Sequence, residues 1–135
     1  MMKSKFAILL AVIALLVSVL ACGESAPPGI SNIYMAKDAE GANKTTTFAS
    51  TDIVYVFFDV NQIEAGAQFQ IKWYALNVEG QDPATPFVVT DYTYNDEATM
   101  YAQIESTTGG FPAANYRVEI YLNGAKVGEQ QFNVQ

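Results

Sequence analysis

The chain of 135 residues predicts an all-β fold, an antiparallel sandwich of about seven short strands, on three observations. Beyond residue 21 the only leucines are Leu76 and Leu122, while Val, Ile, Thr, Tyr and Phe are abundant, so β-formers outnumber good helix formers. Apolar and polar residues alternate repeatedly, and no stretch carries apolar residues at the i, i+3, i+4, i+7 spacing of a helix. Gly, Pro, Asn and Asp punctuate these alternating runs at short intervals. Strands with one apolar face bury it by stacking two sheets, with a closed barrel as the alternative.

Each element follows from this pattern. Residues 32–37 form the first strand, with Ile33 and Met35 on one side and Tyr34 on the other. The Gly41-Ala42-Asn43-Lys44 turn leads to a short extended piece over 46–49, and then to 53–60. There Val54, Val56, Phe58 and Val60 share one face, and Ile53, Tyr55, Phe57 and Asp59 the other. Over 68–77, Phe69, Ile71, Trp73 and Ala75 alternate with Gln70, Lys72, Tyr74 and Leu76. A Gly/Asp/Pro-rich break over 79–86 precedes a strand at 87–94, and the turn Asn95-Asp96-Glu97 precedes another at 99–105. The loop Thr107-Thr108-Gly109-Gly110-Phe111-Pro112 leads to 115–122, where Tyr116, Val118, Ile120 and Leu122 alternate with Arg117, Glu119 and Tyr121. Asn123-Gly124 is the strongest hairpin signal, because a type I′ turn needs positive φ at both central residues. It joins that strand to 125–134, which buries Phe132 and Val134.

The N-terminus has a different character. Lys3 and Lys5 precede an unbroken apolar run from Phe6 to Val17, too short to span a bilayer comfortably, and a small residue, Ala21, stands directly before Cys22. This is the layout of an export signal. Val19-Leu20-Ala21-Cys22 resembles the lipobox of bacterial lipoproteins. The resemblance implies that Cys22 is lipidated, that the signal is cut before it, and that Cys22 becomes the first mature residue. Acyl chains contribute about 0.8 kcal/mol per buried CH₂, so two or three hold a domain at a membrane far better than one. Gly23 stands where the family's inner-membrane retention signal would place Asp. The expected organisation is therefore a signal peptide over 1–21, the lipidated Cys and a Pro/Gly-rich tether over 22–30, and one sandwich domain over 31–135. Losing Lys3 and Lys5 leaves 5 basic residues against the 14 acidic ones, so the formal charge moves from −7 to −9. Such a domain is repelled by anionic headgroups.

Composition also removes function classes. With no His there is no Ser-His-Asp triad, Cys-His dyad or imidazole metal ligand. One Cys leaves no internal disulfide, redox pair or structural zinc site. The acidic balance argues against a nucleic-acid partner, since phosphate binding draws on clustered Lys and Arg. No cofactor is expected.

Three groups of side chains are candidates for chemistry. Asp91, Asn95, Asp96 and Glu97 gather oxygen ligands of the kind Ca²⁺ takes, without the spacing of a dedicated loop; a solvated acidic turn is the plainer reading. Asp59, Glu105 and Glu119 could supply a carboxylate pair, but surface ion pairing with neighbours such as Lys72 or Arg117 explains them as well. Tyr74 and Tyr121 fall on the face opposite the core; on neighbouring strands they would form an exposed platform for sugar rings or a protein partner.

Trp73 and the run Tyr116-Arg117-Val118-Glu119-Ile120-Tyr121 resemble strands C and F of immunoglobulin-like sandwiches. That resemblance implies a buried central Trp and a tyrosine corner at Tyr116, whose hydroxyl would bond backbone a few residues upstream. Together with the lipobox it implies an immunoglobulin-like module of the bacterial cell-surface type, without catalytic activity. Its expected place is extracytoplasmic, anchored through Cys22 to the cell membrane or an outer membrane, with a protein or glycan as partner. A carbohydrate-binding module and a structural part of an envelope complex are the alternatives.

Overall fold

A computed structural model describes residues 28–135, so the signal segment and Cys22 lie outside the described residues. The chain forms β1 (Gly29–Ala36), β2 (Thr47–Phe48), β3 (Val54–Asn61), β4 (Gln68–Ala75), β5 (Val88–Thr93), β6 (Thr99–Ile104), β7 (Ala114–Leu122) and β8 (Ala125–Val134). No helix occurs among the described residues. One sheet has the order β1-β3-β6 and the other β2-β8-β7-β4-β5. All neighbours are antiparallel except β2, which lies parallel to the end of β8.

The alternation read from the sequence is the alternation that packs. Val54, Val56 and Phe58 of β3 meet Phe69, Ile71 and Trp73 of β4 and Tyr116, Val118 and Ile120 of β7 between the sheets. Trp73 is fully enclosed, edge-on to Phe132 at 5.9 Å. The hairpin closes as its residues require, with φ of 49° at Asn123 and 86° at Gly124. Asn123 also ties its turn to β4, its Oδ1 accepting from the Gln68 N–H at 3.0 Å.

Two details depart from the sequence reading. The first strand begins at Gly29 rather than after a tether ending at residue 30, because Ile30 is apolar and packs against the core. Asn32, at φ 51°, sits in a bulge between Ser31 and Tyr34 that restores the inward phase for Ile33 and Met35. Ile30 and Ile33 then pack over Gly128 of β8, where a Cβ would lie 2.5 Å from the Ile33 Cδ1. The other departure is on the outer face of β3. Tyr55 and Phe57 are buried there with Tyr34 and Ile53 packed beside them, a second small core outside the sandwich. The loop after β1 closes over it: Asp38 accepts from the Ala42 and Asn43 N–H groups, and Gly41, at φ 69°, lies against the Tyr34 ring. Lys44 completes the cover, its Nζ 4.3 Å from the Tyr34 centroid.

Candidate functional site

Tyr74 of β4 and Tyr121 of β7 are the expected platform. Register sets Tyr74 beside Arg117 and Tyr121 beside Gln70, so the two tyrosines do share one face of neighbouring strands. They are not exposed together. Tyr74 is only 6% exposed, with the Arg117 guanidinium 4.8 Å above its ring, and the Lys72 ammonium caps Tyr121 at 4.3 Å. Between them lies Glu119, itself nearly buried, accepting a 2.7 Å hydrogen bond from the Tyr121 hydroxyl. Arg117 Nε approaches its carboxylate to 2.9 Å and Lys126 Nζ to 3.4 Å, and both cations also reach Glu129. Burial alone would raise the Glu119 pKa, but the Tyr121 hydrogen bond and the two cations hold it below the usual carboxylate range. The Glu119 hydrogen bond, burial and the same negative charge push Tyr121 up to about 12. A carboxylate so held is ionised, acceptor-only and shielded, and it stitches β7 to β8.

The oxygen groups of the acidic turn are engaged separately. Asp91 sits within β5 and accepts from the Gln70 amide at 2.9 Å, while Glu97 turns back to accept the Asn95 N–H at 2.9 Å. Asp96, at φ 69°, simply forms the turn. Among the described residues no three Asp, Glu or Cys side chains converge as metal ligands would. Asp59, a candidate for a carboxylate pair, accepts from Asn32 Nδ2 and Thr99 Oγ1 instead.

The concave feature lies in loops that sequence reasoning passed over as breaks. A groove of about 510 Å³ opens between the β4–β5 loop and the β6–β7 loop. It is lined by Val78, Phe87, Phe111 and Tyr116 together with Gln81, Gln103 and Thr108, and Glu105 is its only charged residue. Tyr116 anchors one wall: its hydroxyl donates to the Pro112 carbonyl at 2.7 Å, pinning the β6–β7 loop, and its ring stacks on Phe132 at 5.3 Å. Phe87 and Phe111 meet Tyr116 edge-on at 6.0 and 6.2 Å. The available signal was Phe111 between Gly110 and Pro112, an aromatic where a loop has no strand face to bury it; Phe87, expected to open a strand over 87–94, precedes β5 and lines the groove instead.

A central Trp enclosed between sheets and a tyrosine bonded to backbone four residues upstream are the two marks expected of one fold. The fold is immunoglobulin-like. Over 84% of this chain and 100% of its own, an immunoglobulin-like protein from Pseudomonas aeruginosa superposes at a TM-score of 0.58 with 13% identity. The soluble domain of PmoD from a Methylocystis species superposes at 0.50 with 11% identity, over 82% of this chain and 94% of that one. Part of the alkylpurine DNA glycosylase AlkC from Pseudomonas fluorescens, solved on DNA with an abasic-site analogue, matches at 0.51 and 11% identity; this covers 82% of the present chain but 31% of the enzyme. Such likeness speaks for the immunoglobulin-like fold and not for activity. No family model matches the sequence, and no curated protein matches it.

The immunoglobulin-like domain has two poles, set by strand direction. Gly29 pairs with Asn61 at one end of β3, while Val54 pairs with Ile104 at the other, beside the groove. An eight-residue strand spans roughly 25 Å, so the groove is about that far from where the N-terminal segment joins the domain.

Proposed function

We propose that the chain is an extracytoplasmic lipoprotein, anchored through Cys22, whose immunoglobulin-like domain is a non-catalytic binding or accessory module that presents its loop groove away from the membrane. The observation carrying this reading is the polarity: the segment leading back to Cys22 joins at the Gly29 pole, and the groove opens at the opposite one. An acidic domain on a Pro/Gly-rich tether is held off an anionic bilayer, which suits the same orientation. The reading as a module without catalytic activity is supported by the absence of His, which removes imidazole chemistry. The glycan reading depended on an exposed tyrosine pair and loses its basis with Tyr74 buried.

The test is metabolic labelling of cells with an alkyne fatty acid. Wild type takes up label, fractionates with membranes and runs at the processed size; Cys22→Ala is unlabelled and unprocessed. Equal labelling of Cys22→Ala would overturn the anchor. A substrate turned over by purified protein, and spared on changing one carboxylate, would overturn the claim that this is not an enzyme.

A further inference from the structure

The sandwich has four edge strands, and three are blunted. β1 carries the bulge and packs onto β8 through Ile30 and Ile33, β2 is two residues long, and β5 bears Asp91. β6, Thr99-Met100-Tyr101-Ala102-Gln103-Ile104, has no charge, Pro, Gly or bulge, and pairs only with β3. Its hydrogen-bonding phase is fixed by the Val60 N–H, which donates to the Ala98 carbonyl at 2.9 Å. In an antiparallel ladder this turns the backbone groups of Met100, Ala102 and Ile104 toward β3 and those of Thr99, Tyr101 and Gln103 toward the open side. The same three residues are solvent-exposed; Tyr101, at 48%, is one of few large apolar side chains left in water. The strand also runs directly into the groove, which Gln103, Ile104 and Glu105 help to line.

Charge selects the occupant. Exposed Glu97 and Glu105 bracket the strand. The five basic side chains of the described residues are engaged elsewhere: Lys37 with Asp52, Lys44 on Tyr34, Lys72 on Tyr121, and Arg117 and Lys126 with Glu119 and Glu129. A second copy pairing about a two-fold axis at Tyr101 would set Glu97 opposite Glu105, which like charges disfavour.

We propose that β6 is a docking edge for an extended segment of a partner protein, which adds to the β1-β3-β6 sheet as a fourth strand, carries basic residues opposite Glu97 and Glu105, and seats an apolar side chain in the groove. The open N–H and C=O groups supply affinity, and the groove and bracketing carboxylates supply selection. This deepens the reading of the domain as a binding module and is independent of the lipid anchor, which is read from Cys22 labelling alone.

The probe is a fluorescent peptide of alternating valine and threonine, matching residues 97–105 in length, with a lysine at each end. Anisotropy is followed with the full-length protein in detergent micelles. Saturable binding is expected that weakens about tenfold with Glu97→Lys plus Glu105→Lys, as with a rise in salt. Gln103→Pro, which removes one outward N–H and spares the β3 ladder, should abolish it. Should that variant fail to fold, a peptide N-methylated at alternate residues makes the same cut on the ligand and should not bind. Absence of saturable binding to wild type, or equal binding of the N-methylated peptide, overturns the proposal.

Discussion

At the residue scale the domain turns on a few large aromatic side chains at its centre. Trp73 fills the centre of the sandwich, but its indole N–H finds no acceptor, so packing outweighs a polar cost. Trp73→Ala should lose about 3–5 kcal/mol in urea unfolding, as large core truncations do; a loss near zero would mean that the strand is not central. Tyr116 serves the core with its ring and the β6–β7 loop with its hydroxyl. Tyr116→Phe keeps the ring and leaves the Pro112 carbonyl without that partner, so a loss of about 1–2 kcal/mol is expected. The signature beyond stability is faster hydrogen exchange confined to residues 106–112, and unchanged exchange there would contradict the tyrosine-corner role.

Elements depend on one another through a few close approaches. Gly128 on β8 is one, because Ile30 and Ile33 occupy the space its Cβ would take. Gly128→Val should push β1 from β8 and cost about 1–3 kcal/mol, although strand propensity alone would favour valine by up to about 1 kcal/mol. The check is a double substitution: Ile33→Ala should recover part of the loss, and strictly additive losses would show that the contact is not the cause. The β1–β2 loop is another such place. Asp38 holds it by accepting two backbone N–H groups, from Asn43 and Ala42, which also keep its carboxyl below the usual range. Asp38→Ala should loosen the cover over Tyr34 and Phe57, seen as added tyrosine quenching, with the sandwich core intact.

For the whole molecule, stability against pH follows from the carboxylates and tyrosines, since there is no His. Asp52 is lowered by the Ala49 N–H and by Lys37, and Glu119 by Tyr121 and its cations, outweighing burial. A depressed folded pKa stabilises above the unfolded value and loses that contribution as pH falls through the folded one, so unfolding should ease below about pH 4. Tyr121 has the opposite sign. Its pKa is raised to about 12, so its contribution is complete below the unfolded value and is lost as pH climbs between the two. Urea midpoints should therefore be flat from about pH 5 to 9 and fall on both sides. The alkaline fall should soften in Tyr121→Phe, and a transition near neutrality would contradict this account.

What the sequence determined by itself was whatever depends on period and on local backbone chemistry. A period of two assigns each strand's inward face, and Asn-Gly imposes its turn wherever the chain goes. Other features arise only when distant segments meet. Whether an outward tyrosine is exposed depends on which cation the next strand brings over it, so Tyr74 and Tyr121 became parts of a closed network around Glu119. Likewise, 79–86 and 107–112 carry no periodic signal, and their groove exists because the fold brings two loops to one pole. The open edge of β6 is also tertiary: its six residues read like any other strand, and only the order of strands in the sheet decides that nothing pairs with its outer side.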